Sequence, residues 1–386
     1  MRDVYVVSAA RTPITRADKG GLAHCHPADM AAAAVRAAVE RAGVAADQVA
    51  DLVLGCAFPE AAQGMNVARI AQARAGLPDA TGGMTLNRLC ASGLEAIAHA
   101  AMRMSAGGGE AAIAGGVESM SLVPMGGYRF SPNPGLTRER PEVYLSMGRC
   151  GDNVARDFGL ARETLDAYAL ESHRRALAAQ DAGRFDEEII PVEAPAADGP
   201  RTIAADEGPR RDTSPEGLAK LPPAFAAPGA GGVCTAGNSS QRSDGAAAVC
   251  LMSRAAMDRA GAQPLGRLLS YAVAGGTPTY LGPAQVEAVK AACAQASVRL
   301  AEMDLIELNE AFASVALYVI GELALDRDKV NVNGGAIALG HPLGCTGAKL
   351  SVQLLYELRR RQGRYGLVTM CVGGGMGAAG VFERCP

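Results

Sequence analysis

Residues 51–58 read DLVLGCAF and residues 304–312 read DLIELNEAF, so that in each an aspartate opens a short apolar run. Their surroundings match too. Upstream lie two segments of helical period, AAVRAAVERAG (33–43) and AQVEAVKAACAQA (284–296). Downstream, the first copy leads to CASGLEAI (90–97) and then AAIAGGVESM (111–120). The second leads to CTGAKLSV (345–352) and then LVTMCVGGGMG (367–377). Strand–helix alternation run twice in one order predicts an α/β chain built from two halves of similar fold, each with a mixed sheet.

Between the halves the texture changes. Residues 121–150 are rich in turn formers, 163–181 form a charged amphipathic helix, and 191–232 carry many prolines and glycines. The expected organisation is a first half over 1–120, completed by about 242–262, an inserted loop domain over 121–241 and a second half over 263–386. Insertions of that length usually line a site or an interface.

Composition narrows the function. A net charge of −3 argues against a nucleic-acid surface or a polybasic membrane patch, although Arg210-Arg211 could hold a phosphate. No apolar run reaches the length of a membrane span, and the N-terminal MRDVYVVSAARTPI lacks the pattern of a signal peptide. Ten cysteines without a Cys-x-x-Cys spacing predict reduced thiols in an intracellular, cytoplasmic protein and no metal site. Most of those cysteines are expected to be small buried hydrophobes.

Three residues stand apart from that background. Cys90 opens a helix whose apolar face carries Leu94, Ile97, Ala101 and Met104. The helix N-terminus is expected to lower its thiol pKa below the reference of about 8.5. His341, in NGGAIALGHPLGCTGAK, is displayed on a glycine–proline turn within an apolar segment, as suits a general base. Cys371 ends an apolar run and adjoins the glycine turn GGGMG, whose N–H groups could face a developing oxyanion. Asn309, at the carboxyl end of the DLIEL strand, is either a ligand-contacting group or a helix cap. His24, His26, His99 and His173 read as solvated or structural. Two cysteines and a histidine on glycine-rich turns suit acyl transfer through a cysteinyl thioester.

The motifs NRLCASGLEAI, GGVESMS, TAGNSSQRSDGAAA, NEAFAS, NGGAIALGHPLGCTG and CVGGGMGAAG, in that order along nearly the whole chain, resemble the thiolases. The similarity is greatest to 3-ketoacyl-CoA thiolases of fatty-acid β-oxidation, with acetoacetyl-CoA thiolases close behind. It implies a duplicated αβαβα layered fold and no cofactor beyond coenzyme A as substrate. By the same resemblance Cys90 is the acyl-carrying nucleophile, His341 the general base and Cys371 the acid–base at the acetyl carbon. Asn309 would hold an oxyanion-hole water, and the N–H groups of Cys90 and Gly373 a second oxyanion hole. Ser240, Arg210, Phe225, Met147 and Phe312 match positions that contact the CoA arm.

Further implications are a homodimer or homotetramer and association with other β-oxidation enzymes. Departures from the family pattern fall at Ser146, at 149–153 (RCGDN) and at Thr279-Tyr280, all near the acyl and pantetheine channel. The expected wall of that channel includes Tyr128, Phe130, Tyr144, Leu145 and Met147. Three other readings remain: an acetoacetyl-CoA thiolase working in the condensing direction, a decarboxylating ketosynthase, and a catalytically idle acyl-CoA-binding homologue. Cys371, where ketosynthases usually carry histidine or asparagine, weighs against the second.

Overall fold

In the computed structural model, which describes residues 3–226 and 231–385, the repeat in the sequence becomes a repeat in the sheet. The first half contributes β1 (Val4–Arg11), the short β2 (Thr15–Arg16), α1 (Pro27–Ala42), β3 (Val49–Gly55), α2 (Val67–Ala75), β4 (Gly82–Leu86), α3 (Ser92–Ser105) and β5 (Ala111–Ser119). The chain then leaves the sheet for an excursion of α4 (Pro134–Glu139), α5 (Met147–Asp157), α6 (Arg162–Asp181), the hairpin β6–β7 (Val192–Ala194, Arg201–Ile203) and α7 (Pro215–Ala219). It returns as β8 (Ser243–Ser253) and α8 (Arg254–Ala260). The second half follows as β9 (Gly266–Gly275), α9 (Pro283–Ala296), β10 (Leu305–Leu308), α10 (Ala313–Glu322), α11 (Ala336–Leu339), α12 (Leu343–Arg361), β11 (Tyr365–Val372) and β12 (Met376–Arg384).

Strand order shows the duplication directly. The first half runs β4-β3-β5-β8-β1 and the second β10-β11-β12-β9, with β3 beside β4 and β5, and β10 beside β11, in parallel. A parallel bridge from Ile306 to Val330 stands where β4 stands in the first half. The halves meet edge to edge through the antiparallel pair Val6–Gly266 and the bond from Leu265 N–H to the Val6 carbonyl (2.8 Å).

Side-chain alternation along the strands then dictates the layers. On β5, Ala112 and Ala114 enter a central core with α3, α12, Val368 and Met370, whereas Ala111, Ile113 and Val117 enter an outer core with α1 and α2. A second outer core packs α9 and α10 against Ile306, Leu367, Ala379 and Val381. The result is an αβαβα stack with α3 and α12 as its central pair. These two helices approach closely because Gly93 and Gly347 lack side chains. A Cβ on Gly93 would lie 2.6 Å from Ala348 N, and one on Gly347 2.4 Å from Leu94 N.

The excursion is fastened to the first half by the RTPI segment near the N-terminus. Arg11 is fully buried; its Nε donates to Glu188 (2.7 Å) and its two terminal nitrogens to both oxygens of Asp206 (2.7 and 2.8 Å). Ile14 N–H donates to the same Asp206 (2.7 Å).

Candidate active site

Parallel strands β3, β5, β10 and β11 all end on one side of the stack, and the excursion folds back over those ends. A cavity of about 510 Å³ forms between them. Ligand sites of α/β proteins lie at such carboxyl ends. Cys90, His341, Cys371 and Gly373 line it, with Met147, Phe225, Ser240 and Phe312, so eight of the ten residues singled out from sequence face one space. Asn309 is buried just behind His341, its Nδ2 lying 3.3 Å from the ring Nε2.

Each group is positioned by local constraints. Cys90 lies in a single 3₁₀ turn, Leu89–Ala91, and α3 proper begins only at Ser92. Leu89 holds the left-handed φ of +46°, unusual for a branched side chain, and this bends the chain so that Cys90 faces the cavity. Three bonds maintain the bend: Leu89 N–H to Asn87 Oδ1 (2.7 Å), Arg88 N–H to Ser92 Oγ (2.8 Å) and Ser92 Oγ to the Leu89 carbonyl (2.7 Å). His341 follows Gly340, whose φ of +95° excludes side chains and whose Cβ would stand 2.2 Å from Ser243 Oγ. The His341 N–H donates to the Gln241 carbonyl (3.0 Å), and Gln241 Nε2 in turn donates to the carbonyls of Gly208, Ile337 and Ala338 (each 3.0 Å). Cys371 is the next-to-last residue of β11, and Gly373 follows that strand.

Electrostatics overturn one expectation. Cys90 was expected to be acidified by a helix N-terminus; burial instead pushes its thiol up to about 12. The N–H groups of Gly373 and of Cys90 itself bond the sulfur and oppose that rise without cancelling it. Cys90 precedes the helix proper, in a largely apolar cavity where little water is at hand to solvate a thiolate. Burial, reinforced by the neighbouring Cys90 and Cys150 thiols, also holds Cys371 in its thiol form. His341 moves the other way, down to about 3, through burial and then the charge of Lys349. At neutral pH all three are uncharged, a donor–acceptor set rather than a preformed ion pair.

Arg210 stands apart from the main cavity. It lines an adjoining pocket of about 280 Å³ with His173, Asp212 and Ser214, and Ala236 and Gln241 border both spaces. The Arg210 N–H donates to His173 Nδ1 (3.2 Å), and burial followed by the Arg210 and Arg16 charges takes His173 down to about 4. His26 caps α1 by accepting from Ala28 N–H (3.2 Å). Phe225 and Phe312 meet edge to face, 5.5 Å between centroids, on the lining of the main cavity.

The expected channel wall is only partly realised. Met147 lines the cavity and Leu145 packs beside it, but Phe130 and Tyr128 are 64% and 65% exposed. Phe130 packs edge-on to Tyr144 (5.9 Å) instead of facing the cavity. Of the departures, Ser146 lines the cavity, while Cys150 is buried against the Cys371 cluster with its Sγ 3.3 Å from the Pro278 carbonyl.

Sequence reading passed over Met120, Met125, Leu281 and Leu343, which complete the apolar lining. It also passed over Glu118. This fully buried carboxylate accepts from Ala57 N–H (2.7 Å), Phe58 N–H (3.2 Å), Gln63 Nε2 (2.8 Å) and Gly344 N–H (2.7 Å), and so joins the turn after β3 to the start of α12. An acid inside the apolar run AAIAGGVES was the available signal.

The family model described as thiolase, N-terminal domain, matches residues 4–255, and that described as thiolase, C-terminal domain, matches 262–384. A 3-ketoacyl-CoA thiolase of Bacillus subtilis is 48% identical over 100% of both chains. The peroxisomal 3-ketoacyl-CoA thiolase A of Mus musculus is 44% identical, covering 99% of this chain and 91% of its own. The crystal structure of the Bacillus anthracis acetyl-CoA acetyltransferase superposes with a TM-score of 0.92 at 38% identity, covering 100% of this chain and 99% of that one.

Proposed function

The chain belongs to the thiolase family, and from that premise we infer that it cleaves a 3-ketoacyl-CoA with coenzyme A, giving acetyl-CoA and an acyl-CoA two carbons shorter. The observation that carries this reading is the convergence of Cys90, His341 and Cys371, drawn from both halves, on one largely apolar cavity.

The steps follow from the neutral resting set. His341 Nε2 takes the Cys90 proton as the sulfur attacks the 3-keto carbonyl, so charge appears on the carbonyl oxygen rather than on a buried thiolate. The N–H groups of Cys90 and Gly373 would stabilise that oxygen. The carbon–carbon bond then breaks, and the acetyl-CoA enolate takes its proton from Cys371, which burial keeps as an acid. The enolate oxygen is held by His341 and by a water on Asn309, whose buried Oδ1 has no protein donor among the described residues. The His341 imidazolium then returns its proton to the Cys371 thiolate, which restores the neutral base, and His341 deprotonates the incoming CoA thiol. That sulfur attacks the Cys90 thioester, and Cys90 takes the proton back from His341 as the shortened acyl-CoA leaves. Met147, Phe225, Phe312 and Ser240 would contact the pantetheine arm. Arg210, in the adjoining pocket, would meet the phosphate-bearing end.

Every step is reversible, so the same residues would also condense two acetyl-CoA molecules. The likeness to a solved acetyl-CoA acetyltransferase favours that second reading. One assay tests both and the idle homologue: thiolysis of acetoacetyl-CoA against a series of longer 3-ketoacyl-CoAs. Each methylene buried in the apolar lining should raise kcat/KM by up to about fourfold, from about 0.8 kcal/mol. A flat or falling profile would assign the short-chain role, and no turnover would assign the idle one.

Cytoplasmic residence fits ten free thiols, and no helix among the described residues is long and apolar enough to cross a membrane. A homodimer or homotetramer fits β4, which ends its sheet with an open edge beside the 92% exposed Met65. Contact with other β-oxidation enzymes would follow from the pathway the degradative reading implies.

A further inference from the structure

We propose that Thr346 is a positioning residue that holds His341 in the single imidazole tautomer its work as a base requires. The inference rests on the thiolase reading and deepens it.

The geometry is a short relay. His341 Nδ1 lies 2.6 Å from Thr346 Oγ1, and that oxygen lies 3.0 Å from the Pro342 carbonyl. Thr346 is in the first turn of α12, and a helical threonine characteristically gives its hydroxyl hydrogen to the carbonyl four residues back. A hydroxyl has one hydrogen to give. Once that is committed to Pro342, the oxygen can only accept from the ring, so the proton of the neutral imidazole stands on Nδ1. Asn309 Nδ2 lies 3.3 Å from His341 Nε2, a spacing compatible with that form. Thr346 therefore selects the Nδ1–H form, which leaves Nε2 without a proton and able to take one in the cavity that His341 lines with Cys90 and Cys371.

Proton transfer keeps the Thr346 contact, whereas the Nε2 side changes from acceptor to donor. When the Cys90 S–H bond breaks, its electron pair stays on sulfur and a new N–H bond forms at Nε2, while Nδ1–H goes on donating to Thr346. A carboxylate at this place would fix the same tautomer but would add a negative charge and favour a charged ring at rest. A neutral hydroxyl orients the ring and leaves it uncharged, in keeping with the neutral thiols it faces. Lys349 is buried on the same helix, and its charge also disfavours a resting imidazolium.

The test uses Thr346→Val, equal in shape without the hydroxyl, and Thr346→Ser, which keeps it. Protein labelled with ¹⁵N-histidine reports the tautomer of each ring through its nitrogen shifts, and the chain has only five histidines. Comparison with His341→Asn assigns the signal. The wild type and Thr346→Ser should show Nδ1–H at His341, and Thr346→Val should shift it toward Nε2–H. Thr346→Val should lower kcat for acetoacetyl-CoA thiolysis about 10- to 100-fold, a share of the roughly 10²–10⁴ that a positioned acid–base group contributes. Its KM for CoA should stay within about twofold, since only a base step is touched, and Thr346→Ser should recover most of the rate. An Nε2–H signal in the wild type, or a Thr346→Val protein with unchanged tautomer and kcat, would overturn the proposal. If Thr346→Val does not fold, the wild-type and serine spectra still decide. Wild type that shows Nδ1–H yet has no thiolysis activity would refute the thiolase reading alone, so the two failures are distinct.

Discussion

Arg11→Met should lower the folding free energy by about 3–5 kcal/mol, the range for removing one partner of a buried, hydrogen-bonded ion cluster. Methionine fills much of the arginine stem's volume, so the loss comes mainly from two carboxylates, Glu188 and Asp206, left without the guanidinium that takes three of their four oxygens. Against a typical total of about 5–15 kcal/mol, that is a large fraction. Function should follow, because Asp206 also anchors Ile14 and stands four residues before Arg210 at the adjoining pocket. KM for CoA is therefore expected to rise more than kcat falls. The pH dependence has a definite sign. Burial raises the Glu188 pKa even with Arg11 present, so without Arg11 it rises further above its unfolded value. A group whose folded pKa is raised binds its proton more tightly when folded, so the variant's deficit is full above that pKa and shrinks as pH falls through it. Urea unfolding at fixed protein concentration, followed by far-UV circular dichroism because the chain has no tryptophan, measures both effects. A variant within about 0.5 kcal/mol of wild type, or a gap that widens toward low pH, would refute the argument.

Three other outcomes are expected. Cys90→Ala should fold and lose turnover, and brief exposure of wild type to acetyl-CoA should leave an acetyl group on the Cys90 peptide by mass spectrometry; an adduct on Cys371 would exchange their roles. Cys371→Ala should still acylate at Cys90 but lose carbon–carbon cleavage and α-proton exchange by about 10²–10⁴-fold, and normal exchange measured by deuterium uptake would remove Cys371 from that step. Because burial pushes Cys90 up to about 12 and takes His341 down to about 3, neither titrates near neutrality. Iodoacetamide inactivation of the free enzyme should accelerate about tenfold per pH unit between 7 and 9 as the thiolate fraction grows. A plateau near pH 8 would mean a thiolate far easier to form than the cavity allows.

The sequence alone determined the plan of the molecule, because that plan rests on local, periodic signals. Apolar runs and helical stretches repeated in one order carried the two halves, and glycine-rich turns marked where Cys90, His341 and Cys371 leave regular structure. The fold they imply then brings together residues nearly three hundred positions apart. What the tertiary structure decided is what depends on atoms distant in sequence. The direction of the Cys90 pKa came from desolvation by the cavity walls, which outweighed the helix terminus that sequence reading had credited. Whether an aromatic faces the channel or solvent depended on the path of the excursion, and Phe130 turned outward while Met147 turned in. Glu118 and Arg11 looked like ordinary charges in apolar strands until folding surrounded them with donors and acceptors from distant segments. Periodicity records which face of an element is buried; it does not record what meets it there, and desolvation and hydrogen-bond pairing are set by that meeting.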